Sequence, residues 1–236
     1  VGVFVSAADL LLGASCPGCG QPALALCRPC GLTIRPDPYV AWPSPTPLAL
    51  RKPASVLPIA GGANAGVLRA ALIAWKEHGR FGLSAPLSHL LAAATGQLVN
   101  PGRPAVMVPV PTSRRSRRAR GADVVDELAR ASARLLRGVG VDVRVAQALS
   151  YARSTHDQAG LDAEHRAANL TGAFRLRAAG ALVGRDVIVV DDILTTGATV
   201  TEAVRVLGAA GHRPIGIAVI AATPRLVGGT SHERSN

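Results

Sequence analysis

The sequence predicts an α/β fold: a mostly parallel sheet flanked by helices, preceded by a small N-terminal module built on four cysteines. Three observations lead there. From residue 59 onward, apolar strand-like runs alternate with segments of helical period. One run, "DVIVVDD" at 186–192, is continuously apolar up to its two final acids, as in a strand buried on both faces. All four cysteines fall within residues 1–35, as two C-x2-C pairs.

The elements follow in order. Residues 1–35 hold the cysteines, and residues 36–58 hold seven prolines, so that stretch reads as a stiff linker or a strap along the next domain. The α/β domain is expected over 59–228, with a tail at 229–236. Residues 64–77 have Leu68, Leu72 and Trp75 on one helical face, and a second helix is expected near 83–98. "AVMVPVP" (105–111) reads as a strand. Residues 121–138 form a helix by the spacing of Val124, Leu128, Leu135 and Leu136, and "DVRVAQAL" (142–149) reads as a strand. After the 186–192 strand, a helix over 198–209 and a strand over 214–223 complete the pattern.

Composition bounds the rest. Apolar residues make up 48% of the 236, and aromatics 3%, so the core is Ala, Val and Leu. The net charge of +11 suits polyanionic partners such as phosphates or nucleic acid, although arginine-rich coding bias explains part of it. No apolar run approaches the roughly 18 residues of a membrane span, so no membrane insertion is expected. "VGVFVSAADLLLGASC" lacks a basic start, is interrupted by Asp9 and has Gly13 where a lipidation signal has Leu. It reads as an amphipathic or docking segment of a cytoplasmic protein.

Cys16, Cys19, Cys27 and Cys30 are spaced as two knuckles seven residues apart. Four thiolates suit a tetrahedral zinc ion and leave it no open position, so a structural Zn2+ is expected. Two disulfides are the alternative, but nothing in the sequence indicates export.

Asp191 and Asp192 end an apolar strand, and ligands of such sheets bind at strand carboxyl ends. A Walker-type nucleotidase is excluded, because the only lysines, Lys52 and Lys76, are followed by Pro53 and Glu77. Two readings of the acids remain: ribose hydroxyls donating to carboxylates, or a plain helix cap. The turn "TTGAT" favours the first. Thr195, Thr196, Gly197, Ala198 and Thr199 offer hydroxyls and amides at a helix N-terminus, where a phosphate binds. Together these suit a ribose 5-phosphate.

"VIVVDDILTTGAT" (187–199) resembles the phosphoribosyl-diphosphate (PRPP) motif of type I phosphoribosyltransferases. The resemblance implies that Asp191 and Asp192, the catalytic acids of an active enzyme, meet the ribose hydroxyls, that 195–199 hold the 5′ phosphate, and that Mg2+ accompanies PRPP. "VPVPTSRRSRRARG" (108–121), "RSTHDQAGLDAEHRAANLTGAF" (153–174) and "WKEHGR" (75–80) narrow it further, and resemble blocks of the ComF family, which is linked to DNA uptake. The sequence departs from that family in reading Ala122-Asp123-Val124 after the basic block, and "GGANA" where a tyrosine is expected near 61–65.

Arg115, Arg118 and Arg120 lie just after a strand, so they are expected to meet the diphosphate or to track the phosphates of single-stranded DNA. Lys76 either reaches a diphosphate oxygen or solvates a helix end. Residues 150–172 read as a flap. The functional expectation is a PRPP-binding accessory to DNA uptake, with single-stranded DNA and uptake proteins as partners. The alternatives are an active transferase joining PRPP to a base or amine with release of diphosphate, and a non-catalytic PRPP sensor.

Overall fold

The structure, a computed structural model, describes residues 14–51, 56–112, 123–152 and 170–223. In chain order the elements are α1 (Arg28–Thr33), β1 (Tyr39–Val40), α2 (Leu48–Arg51), β2 (Leu57–Ala60), α3 (Gly66–His78), α4 (Ser84–Gly96), β3 (Ala105–Pro109), α5 (Val124–Gly138), β4 (Val143–Val145), β5 (Leu149–Tyr151), β6 (Phe174–Leu176), β7 (Asp186–Leu194), α6 (Ala198–Ala209) and β8 (Gly216–Ala222). Short 3-10 turns at Phe81–Leu83 and Ala179–Leu182 lead into α4 and β7.

Six strands form one sheet in the order β1-β2-β8-β7-β3-β4, parallel except for β1, and β5 and β6 form a separate antiparallel pair. Each face carries its own core. Met107, Ile188 and Val190 pack under α3, α4 and α5. Val106, Val108, Val187 and Val189 pack on the other side, against α6 and the β5–β6 pair. The expected mostly parallel sheet between helices is therefore what the chain forms. The alternation along β7 follows from strand geometry, and Val187 through Val190 are all apolar because both faces are covered.

Two expectations need correction. The strand expected at 142–149 is two strands, because the chain turns at 146–148 (Ala148 N–H to Ala146 O, 2.8 Å) and β5 leaves the main sheet to pair with β6. The central strand does not stop at its acids but runs on to Leu194, with Ile193 and Leu194 paired to Ala221 and Ala222. Within the proline-rich stretch, β1 and the first two residues of β2 run along the main sheet as strands.

α5 begins at Val124 because Asp123 caps it, its carboxylate accepting from the Asp126 amide. Asp123 also accepts from the Thr112 hydroxyl (2.8 Å), which ties the end of β3 to the start of α5. α3 ends at Gly79, whose φ of +64° is favourable only for glycine and whose amide returns to Ala74 O. Among the described residues no helix is long and apolar enough to cross a membrane.

Candidate functional site

β3 connects outward to β4, and the chain then returns to the other side of β3 to form β7. The progression of the chain along the sheet therefore reverses between the parallel strands β3 and β7, and the crevice beyond their carboxyl ends is where open α/β sheets take ligands. A cavity of about 340 Å3 opens there. Asp191, Asp192, Thr195 and Thr199 line it from β7 and the turn after it, Thr112 from the end of β3, Tyr151 from β5 and Lys76 from α3.

Strand alternation separates the two acids. Even-numbered residues of β7 up to this point face α3–α5, and odd ones face α6 and β5–β6. Asp192 accordingly meets Lys76, with Nζ 2.6 Å from Oδ2. Asp191 lies on the side of Tyr151, whose hydroxyl is held above its usual range by burial and by the Asp191 charge. Each carboxylate also accepts from the following amide: Asp191 Oδ1 from Asp192 N–H (2.8 Å) and Asp192 Oδ1 from Ile193 N–H (2.7 Å). Both acids are buried. Burial, and then the Asp192 charge, push the Asp191 carboxyl well above the usual carboxylate range, and Lys76 opposes this only in part.

The turn that follows is shaped for close approach. Gly197 is the N-cap of α6 at φ +77°, in the left-handed region. Thr195 and Thr196 are exposed and Gly197 is buried. The Thr196 hydroxyl faces the Ala198 amide at 3.5 Å. Pro43, from the proline-rich stretch, lies so close that a Cβ at position 197 would come within 2.9 Å of its Cγ. The strap thus covers the turn from one side.

Of the residues singled out in the sequence, Lys76, Asp191, Asp192, Thr195 and Thr199 are brought around one cavity, with Thr196, Gly197 and Ala198 in the adjoining turn. Lys76 does not merely solvate a helix end; it is an ion-pair partner of Asp192. Arg115, Arg118, Arg120 and residues 153–169 of the expected flap lie outside the described residues. Tyr151 and Thr112 were not anticipated. Tyr151 carried a signal, as one of two tyrosines in a chain of 3% aromatics, placed just ahead of the polar block at 153–174. Its ring packs edge-on against Phe174, with centroids 5.2 Å apart.

Residues 120–229 match the family model for the phosphoribosyl transferase domain, a span that includes the acid pair and its turn. This region is similar to a phosphoribosyltransferase domain. No curated protein matches the chain. The phosphoribosyltransferase-like match begins after α3, so Lys76 reaches the acid pair of the domain from outside the matched span.

The four cysteines converge in the N-terminal module. Their Sγ atoms all lie within 4.8 Å of one another, and Cys19 and Cys27 approach to 3.4 Å. A tetrahedral zinc with Zn–S bonds of about 2.3 Å requires sulfurs about 3.8 Å apart, so the cluster is of the right size and donor type to bind zinc. Burial works to raise the Cys16 thiol, but hydrogen bonds from the Cys27, Gly18 and Cys19 amides outweigh it and hold its pKa near 6. Hydrogen bonding to Cys27 and then burial push Cys30 up to about 12. Cys16 is thus readied as a thiolate, while Cys30 keeps a proton that a metal would displace.

Proposed function

We propose that the chain is a PRPP-binding protein of ComF type that serves DNA uptake or single-stranded DNA handling. The observation that supports this is the joining of an acid pair, a phosphate-type turn and a lysine around one cavity at the switch point of a phosphoribosyltransferase-like domain. On this reading residues 59–228 form the PRPP-binding domain, 1–35 the zinc module, 36–58 the strap and 229–236 a tail.

The ribose hydroxyls donate to Asp191 and Asp192, and the 5′ phosphate takes the amides and hydroxyls of 195–199. Lys76 offsets one buried carboxylate, which lowers the repulsion felt by a polyanionic ligand entering beside two acids. Mg2+ would accompany the diphosphate as part of the ligand and would offset part of its charge. Arg115, Arg118 and Arg120 supply backbone contacts to single-stranded DNA, and few aromatics are available for stacking on bases.

Calorimetry with PRPP and Mg2+ tests the core of this reading. Binding by the wild type and its loss in the D191A/D192A double variant are expected, and absence of wild-type binding rejects it. A gel-shift series with single-stranded DNA at rising salt tests the finer part: replacing the three arginines should flatten the salt dependence, and unchanged binding removes their role.

A second reading, an active phosphoribosyltransferase, is favoured by one observation. A smaller cavity of about 120 Å3, with Gln147, Ser150, Arg175 and Arg177 in its wall, adjoins the first across Tyr151. An acceptor there would attack ribose C1 as the bond to diphosphate breaks, a step that depends on positioning and charge stabilisation more than on a strong base. Diphosphate release across a panel of bases and amines distinguishes the two readings.

A further inference from the structure

The cysteine module is fastened to the main domain chiefly through α3 and the residue just beyond it. At the helix's start, Val67 packs against Cys16, Ala23 and Cys30. The fit leaves no room for a side chain at Gly18, where a Cβ would lie 2.8 Å from Val67 and 3.0 Å from Cys30 Sγ. At the helix's end, Gly79 turns the chain and Arg80 reaches back into the module. Its guanidinium donates to the carbonyls of Ser15, Ala23, Leu24 and Ala25, the Ala23 and Leu24 bonds being 3.0 Å each. These carbonyls belong to the loop between the two cysteine pairs and to the residue before the first. One planar fork therefore binds four backbone acceptors, an arrangement that a single ammonium cannot reproduce.

Lys76 lies four residues before Arg80, in the last turn of α3, and holds Asp192 at 2.6 Å. The far end of the same helix turn is thus anchored to the module while its near end serves the acid pair. Asp192 is buried, so displacing Lys76 would break a buried ion pair.

We propose that Arg80 is a positioning residue for the acid-pair site: by clamping the cysteine module to the end of α3, it sets Lys76 against Asp192, so that the integrity of the module and ligand binding at the acid pair are coupled. The ligand side of the coupling rests on the PRPP reading above; the Lys76 side does not.

The chain has two lysines, so lysine side-chain NMR of the full zinc-loaded protein yields two signals, and a K76R variant assigns them. In the wild type the Lys76 signal should respond to removal of the carboxylate it pairs with, in D192N. In R80A that response should be lost while the protein keeps one zinc per chain, and PRPP affinity should fall about tenfold, within the range usual for coupled sites. R80K, which retains charge but not the fork, should lie between the two. A Lys76 signal in R80A identical to wild type overturns the proposal. Should R80A fail to fold, R80K decides: an intermediate response supports the coupling and a wild-type response overturns it. A wild type that binds no PRPP rejects the PRPP reading alone, because the NMR arm needs no ligand.

Discussion

Asp191 is a carboxyl group kept where ionisation is unfavourable. Burial and the neighbouring Asp192 charge raise its proton affinity in the folded chain above that in the unfolded chain. The sign of the resulting pH effect is fixed. The contribution is fully present below the ordinary carboxylate range near about 4 and is lost as pH climbs through the raised folded value. An asparagine at this position keeps the shape and removes the ionisation. The ligand-free D191N chain should therefore melt higher than wild type at neutral pH, by roughly 2–4 °C if about 1 kcal/mol is recovered, and the gap should narrow in mild acid. Thermal melts of both proteins between pH 5 and 8 check this, and a gap that widens in acid contradicts it. The same variant should lose PRPP binding. That two adjacent acids end the strand was legible in the sequence. That they face opposite sides of the sheet follows from period-2 alternation. What could not be read is that Lys76, over a hundred residues earlier, supplies the counter-charge, since that depends on how α3 packs on the sheet.

At the scale of elements, the site is held by short devices at the ends of β3 and β7. Asp123 caps α5 and fixes Thr112 at the rim of the cavity. D123A should lower stability by about 1 kcal/mol, read from denaturant midpoints, and T112V should show part of the same loss. Gly197 is constrained twice, by its left-handed backbone and by Pro43. G197A should cost about 1–2 kcal/mol and weaken PRPP binding, because the strap and the turn must part to admit the methyl group. A G197A protein with wild-type stability would show that the strap yields freely. The helices at 64–77, 83–98 and 198–209 were legible because apolar period and turn residues agree there. The strand at 142–149 was misread because its apolar run continues through a turn that carries no glycine or proline. The start of α5 was marked by Asp123 with Asp126 three residues on, a capping signal that the arginine-rich run before it obscured.

At the scale of the molecule, the main sheet and the cysteine module share α3 and a common packing surface, with Ala25 and Leu26 of the module resting on the main core. Metal loss should therefore be felt beyond the module. C30S, which removes a buried ligand, should bind less than one zinc per chain and lower the melting temperature of the main transition by several degrees; metal analysis beside calorimetry checks both. A zinc-free variant that melts as the wild type does would make the module an independent appendage. The four cysteines announced this module by spacing alone, whereas its docking on α3 had no sequence signal, because Arg80 is one arginine among 24.

The strand β2 gives the proline-rich stretch a further consequence. It lies beside β8, pairing Leu57 through Ala60 with Gly216 through Val219, and every residue of β8 is buried. A chain begun at residue 59 would lose half of that cover, together with β1. Ile217 and its backbone, no longer covered by Pro58, would then form an open, uncharged edge, a template on which a second copy could add its own strand. Shortened versions of this protein should accordingly self-associate through β8, and light scattering of a chain begun at 59 against one begun at 36 would reveal it.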